Sequence, residues 1–98
     1  MTAVVVLLEI PIRPDAEGVD EVLREDLPRT ASFAGNESTA VITDAARPNT
    51  LFLLTRWATM EAYDAYSEWR RSPGGMTRMS EIASAAPIVR RFNTYLEF

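Results

Sequence analysis

Hydrophobic and polar positions alternate with period two in three stretches and with helical period in two others. Residues 3–13 predict a strand: Val4, Val6, Leu8, Ile10 and Ile12 share one face, with Ala3, Val5, Leu7, Glu9, Pro11 and Arg13 on the other. Its first half is apolar on both faces, and Pro11 suggests an edge position or the strand's end. After an Arg13-Pro14-Asp15 turn, with Asp15 as N-cap, Val19, Val22, Leu23 and Leu27 recur at helical spacing. Pro28 bends or ends that helix, and Gly35-Asn36 supplies a turn.

Residues 37–44 predict a second strand, joined through 44–50 to a third over 51–57. That third strand puts Leu51, Leu53, Thr55 and Trp57 on one face and Phe52, Leu54 and Arg56 on the other. Thr59 caps a helix of about 59–71 whose apolar line is Ala62, Tyr63, Tyr66 and Trp69 or Arg70. Ser72-Pro73-Gly74-Gly75 breaks it. A shorter helix with Met76, Met79, Ile82 and Ala83 on one side follows, and the last strand covers about 88–97. The order β-α-β-β-α(α)-β is that of an α+β, ferredoxin-like domain over 1–98, a four-stranded antiparallel sheet with helices on one face. Phe52, Leu54 and one side of 3–8 would then lie bare on the other face. Burying such side chains is worth about 1.5–3 kcal/mol each. A homodimer formed by sheet-to-sheet packing is therefore expected.

Composition removes chemistry more than it adds any. All ten cations are Arg, and Cys, His and Lys are absent. Thiolate chemistry, zinc–sulfur sites, imidazole bases and Schiff bases are thereby excluded on this chain. The net charge of −4 and the scattered arginines argue against nucleic acid and against an anionic membrane surface. The apolar opening run is too short for a membrane helix and lacks the basic start of a signal peptide, so a cytoplasmic location is expected. Glu61, Asp64 and Glu68 along one helix read as a solvated face, so no metal site is expected. Glu9, after its apolar run, is the carboxylate to test for burial and a role as base.

Arg56-Trp57-Ala58-Thr59-Met60-Glu61-Ala62-Tyr63 joins a strand ending in Trp to a capping Thr and an acidic-Ala-aromatic step. This segment resembles the antibiotic biosynthesis monooxygenase family. So do the Arg-Pro turn before the first helix, Gly35 before the second strand and Ala86-Pro87 before the last. The resemblance implies a dimeric α/β barrel and, for some members, oxidation of phenolic polyketides without metal or flavin. It also implies that Trp57 and Tyr63 match the strand Trp and helix aromatic of anthrone oxygenases, with Arg78 as counterpart of their Arg. Leu53 replaces an Asn of that site, and Ile42 lies near a position that can hold His. The heme-degrading branch fits worse, with Tyr66 in place of its helix Trp.

The expected site is a pocket between sheet and helices for a small aromatic ligand, with no cofactor. Trp57, Tyr66 and Arg78 are its candidate catalytic residues, and Leu53, Tyr63 and Trp69 bind substrate. The rings would stack and orient the ligand, and Arg78 would hold a developing phenolate. Each has a plainer alternative: Trp57 and Tyr63 as core, Arg78 as a surface arginine. Arg56 is assigned to the dimer rim and Arg90-Arg91 to solvated charge. Whether the chain is an enzyme stays open, with a polyketide cyclase or isomerase and a non-catalytic small-molecule-binding dimer as the other two readings.

Overall fold

The computed structural model describes residues 3–98, so Met1 and Thr2 of the expected 1–98 domain lie outside the described residues. Four strands, β1 (Val4–Pro11), β2 (Asn36–Asp44), β3 (Arg47–Trp57) and β4 (Ile88–Asn93), form one antiparallel sheet in the order β2-β3-β1-β4. Helices α1 (Val19–Ala31) and α2 (Met60–Arg70) complete the ferredoxin-like order.

The doubly apolar strands β1 and β3 occupy the centre, paired from Val4 opposite Trp57 to Pro11 opposite Thr50. Pro11 is thus the end of a central strand, not a mark of an edge. Strand parity holds along the β1–β3 pair, while β2 shifts register at Asn36/Ser38 and Thr43/Asp44. Val4, Val6, Ile10, Leu53 and Trp57 are buried under the helices, together with Val22, Tyr63 and Ile82. On the outer face, Ile88, Glu9, Phe52 and Ile42 form one row across the sheet, and Arg90, Leu7, Leu54 and Ala40 form the next. Within these rows Leu54 is 36% exposed and Ile42 44%.

Several boundaries move, each for a local reason. α1 begins after Gly18, whose left-handed backbone caps it, and not at Asp15. It also runs through Pro28 to Ala31: a proline near the C-terminus forfeits one intrahelical bond, while buried Thr30 anchors the turn beyond it. β3 starts at Arg47, because Asp44 Oδ1 accepts from the Ala46 N–H (2.8 Å) and tightens the expected 44–50 connection into a short turn. The expected helix after α2 is instead two 3-10 turns, Pro73–Gly75 and Met79–Glu81. The chain beyond them is committed to the sheet: Ile12 bridges Ala83, and Arg13 and Ser84 bond backbone to backbone with Ile82 and Pro11. β4 ends at Asn93 and not near 97, because its partner β1 begins opposite it at Val4.

Gly35 ties β2 to α2. Its φ of 89° lies in the left-handed region, and a Cβ there would overlap that of Ala62. Its carbonyl accepts from the Ala58 N–H (2.8 Å), which fixes the start of the loop into α2. Thr59 caps the helix as expected, its hydroxyl accepting from the Ala62 N–H (3.1 Å).

Candidate functional site

A cavity of about 490 Å³ opens between the sheet, α2 and the segment leading to β4. Leu8 and Leu53 form its sheet wall, Tyr63, Tyr66 and Arg70 its helix wall, and Ala83 to Pro87 the side nearest β4. The 82–84 bonds to the end of β1 hold that last wall in place.

Of the six residues expected at the site, Leu53, Tyr63 and Tyr66 line this cavity. The other three do not. Trp57 is 0% exposed behind the tyrosines, its ring centroid 5.6 Å from that of Tyr63 and 4.9 Å from that of Tyr66. Its indole N–H donates to Thr55 Oγ1 (2.9 Å), and Thr55 donates in turn to the Val6 carbonyl (3.2 Å). Trp57 is therefore satisfied core and reaches a ligand only through the rings in front of it. Trp69 packs on Phe33 and Tyr66 outside the cavity lining and is flanked by the guanidinium groups of Arg29 and Arg70, each 4.8 Å from its ring. Arg78 lies outside the cavity with half its side chain exposed, bonded to Glu81 (3.1 Å) and Glu25 (3.0 Å). Those bonds raise the Arg78 pKa and hold Glu81 below the usual carboxylate range. Two nearby carboxylates, available in water, win over a pocket that would desolvate the charge.

The cation at the cavity is Arg70. Its side chain is 14% exposed and grips Asp26 of α1, itself 8% exposed, through Nη1–Oδ1 (2.8 Å) and Nη2–Oδ2 (3.0 Å). Nε donates to the Tyr66 hydroxyl (2.9 Å), Nη2 also to Thr30 Oγ1 (2.8 Å), and Nη1 also to the Gly75 carbonyl (3.3 Å). The Gly75 contact requires glycine, since a Cβ there would overlap the Trp69 carbonyl. All five guanidinium N–H groups thus have acceptors.

Asp26, and its pairing with Arg70, are what the sequence did not reveal. Their signal was an acid on the apolar line of α1, four residues after Val22, and an arginine four after Tyr66 on that of α2. Opposite charges on the inward faces of two helices mark a buried pair.

Burial pushes the Tyr63 phenol above its ordinary pKa, opposed by the Arg91 guanidinium 4.7 Å over its ring. Arg91 is accordingly not free solvated charge; it pairs with Asp64 (2.6 Å). Glu9, half-buried on the outer face, pairs with Arg47 (3.3 Å), away from the cavity. Arg56, at the edge of the same face, bonds Glu37 (3.1 Å) and Glu97. Among the described residues no cluster of three acidic, His or Cys side chains could hold a metal ion, and no helix is long and apolar enough to cross a membrane.

The sequence profile of the antibiotic biosynthesis monooxygenase family matches residues 3–74. The chain belongs to that family. The match runs from β1 through the cavity wall of α2 and stops before Ala83 to Pro87. Solved structures share the fold. Rv0793 of Mycobacterium tuberculosis superposes with a TM-score of 0.76 at 23% identity, covering 97% of each chain. A conserved protein of Methanosarcina mazei Go1 gives 0.77 at 18% identity, over 97% of this chain and 95% of its own. A Bordetella bronchiseptica protein that carries the antibiotic biosynthesis monooxygenase name gives 0.74 at 16% identity, over 98% and 100%. No curated protein matches the chain significantly.

Proposed function

We propose that this member of the family is a cytoplasmic, cofactor-independent monooxygenase-like protein that takes a small aromatic quinol or polyketide into the cavity between sheet and α2. The observation that carries this reading is the cavity itself: about 490 Å³, large enough for a fused-ring ligand, with mostly apolar walls and two tyrosines on one side. A chain without His, Cys or Lys suits a reaction whose electrons come from the substrate. An anthrone-type ring loses a proton, and its anion reduces dioxygen; one oxygen atom enters the ring carbon as a carbonyl and the other leaves as water. The protein contributes orientation, exclusion of water and stabilisation of the charge that grows on the substrate oxygen.

In this reading Tyr66 takes the part expected of Arg78, Leu53 and Tyr63 bound the ring, and Trp57 backs both tyrosines. The family's proteins are usually dimers. The uncovered row of Leu7, Leu54 and Ala40, beside Phe52 and Ile42, supports a homodimer through the outer face of the sheet.

A non-catalytic binding role has one specific observation in its favour. Asp26, the carboxylate at the cavity, has both oxygens bonded to Arg70. Metal-free oxygen uptake with anthrones and hydroquinones separates the two. Uptake with an anthrone converted to its quinone, one oxygen atom of dioxygen in the new carbonyl, supports the oxygenase; stoichiometric binding without uptake supports the binding protein. Turnover of a polyketide substrate under argon would instead mark a cyclase or isomerase.

A further inference from the structure

The hydrogen-bond partners around Tyr66 leave one proton unaccounted for. Thr30 is 0% exposed, so its hydroxyl proton requires an acceptor within the protein. Its oxygen already accepts from Arg70 Nη2 (2.8 Å), and its other partner is the Tyr66 hydroxyl (2.8 Å). Were Tyr66 to donate to Thr30, the Thr30 proton would be buried without a partner, at a cost comparable to a lost hydrogen bond. The arrangement that satisfies both groups has Thr30 donating to Tyr66. The Tyr66 oxygen then accepts twice, from Thr30 and from Arg70 Nε (2.9 Å), and its own O–H is left for the cavity that it lines.

We propose that Tyr66 is a hydrogen-bond donor aimed into the cavity, fixed by Thr30 and Arg70 as positioning residues, and that its ligand carries a neutral carbonyl oxygen. The charge of the site selects the ligand. Among the described residues lining the cavity Arg70 is the one cation, and Asp26 both neutralises it and occupies its donors. A carboxylate or phosphate would lose its water shell without gaining a free cation, whereas a carbonyl needs a single donor. This inference rests on the cavity being a ligand site, as proposed above, and adds which atom recognises the ligand and which ligand charge is refused.

Three probes test it by calorimetric titration of the full chain: 1,4-naphthoquinone, naphthalene and 2-naphthoate. The quinone has no Cys or Lys side chain here to alkylate. Wild type is expected to bind the quinone more tightly than naphthoate. Tyr66→Phe should weaken the quinone about 3- to 10-fold, the worth of one neutral hydrogen bond, and leave naphthalene unchanged. Thr30→Val separates the two proton arrangements. With Thr30 as donor, the variant leaves quinone affinity unchanged or lowers it; with Tyr66 as donor, it would free the phenol and tighten binding. Equal quinone affinity in wild type and Tyr66→Phe, tighter binding in Thr30→Val, or naphthoate binding as tightly as quinone would overturn the inference while leaving the cavity a ligand site. Failure of all three probes to bind wild type would overturn the site itself, and this inference with it.

Discussion

Asp26 of α1 and Arg70 of α2 face each other through two parallel N–H···O bonds, 2.8 and 3.0 Å long, beneath the helix layer beside the cavity. The pair connects the two helices and holds Tyr66 by its hydroxyl. A buried pair of this kind contributes little beyond an apolar substitute of equal volume, but breaking it strands a charge. Asp26→Ala or Arg70→Ala is expected to cost about 3–5 kcal/mol in urea unfolding. The double variant Asp26→Leu/Arg70→Met should lose markedly less than the sum of the two. Additive losses would show that the two charges do not depend on each other.

Trp57 and Arg78 are expected to behave as scaffold and surface, respectively. Trp57→Ala removes a fully buried indole and should cost about 3–5 kcal/mol, whereas Trp57→Phe should keep naphthoquinone affinity within about twofold, since the tyrosines stand between this ring and the cavity. Arg78→Ala should shift neither the urea midpoint nor ligand affinity measurably, because its partners Glu25 and Glu81 are themselves exposed. Loss of binding in Arg78→Ala with an intact fold would return that arginine to the site.

The fold was legible because parity on β1 and β3 is unambiguous. Two central strands apolar on both faces leave one arrangement in which helices cover one side and rows such as Leu7–Leu54 remain on the other. The site was legible only where an aromatic or apolar residue lay on the inward parity, as Leu53, Tyr63 and Tyr66 do. Arg78 was misplaced because a lone arginine on a short irregular segment carries no periodicity to orient it. Here two 3-10 turns replaced the expected helix. Asp26 has no aromatic or apolar mark, and Arg70, although on the inward line of its helix, has no visible partner: charged residues on an apolar line read as interruptions until the facing helix is known.

Tyr63 gives the structure a dependence on alkaline pH. Its buried phenol stays protonated above the ordinary tyrosine range, while the unfolded chain releases that proton near pH ~10. Above that value the folded state therefore binds more protons than the unfolded state, and stability falls as pH rises. The contribution is fully present below pH ~10 and declines by at most about 1.4 kcal/mol per pH unit until the folded phenol ionises. Tyr63→Phe should flatten this alkaline limb in urea midpoints measured from pH 8 to 11. An unchanged slope would assign the loss to other groups.

The outer face of the sheet predicts assembly. Wild type should sediment as a dimer at micromolar concentration, and Leu54→Arg, placing a charge in the middle of that face, should sediment as a folded single subunit. A dimer that survives Leu54→Arg would place the interface elsewhere.

Ligand binding in the cavity between sheet and α2 is read residue by residue in an amide NMR titration with 1,4-naphthoquinone. A second groove, between α1 and β2 and bordered by Leu23, Leu27 and Val41, is of similar volume and provides the contrast. Saturable shifts are expected at Leu53, Tyr66, Ser67 and the 83–86 amides, with the groove residues still. Shifts confined to Leu23, Leu27 and Val41, or none at saturating ligand, would contradict it.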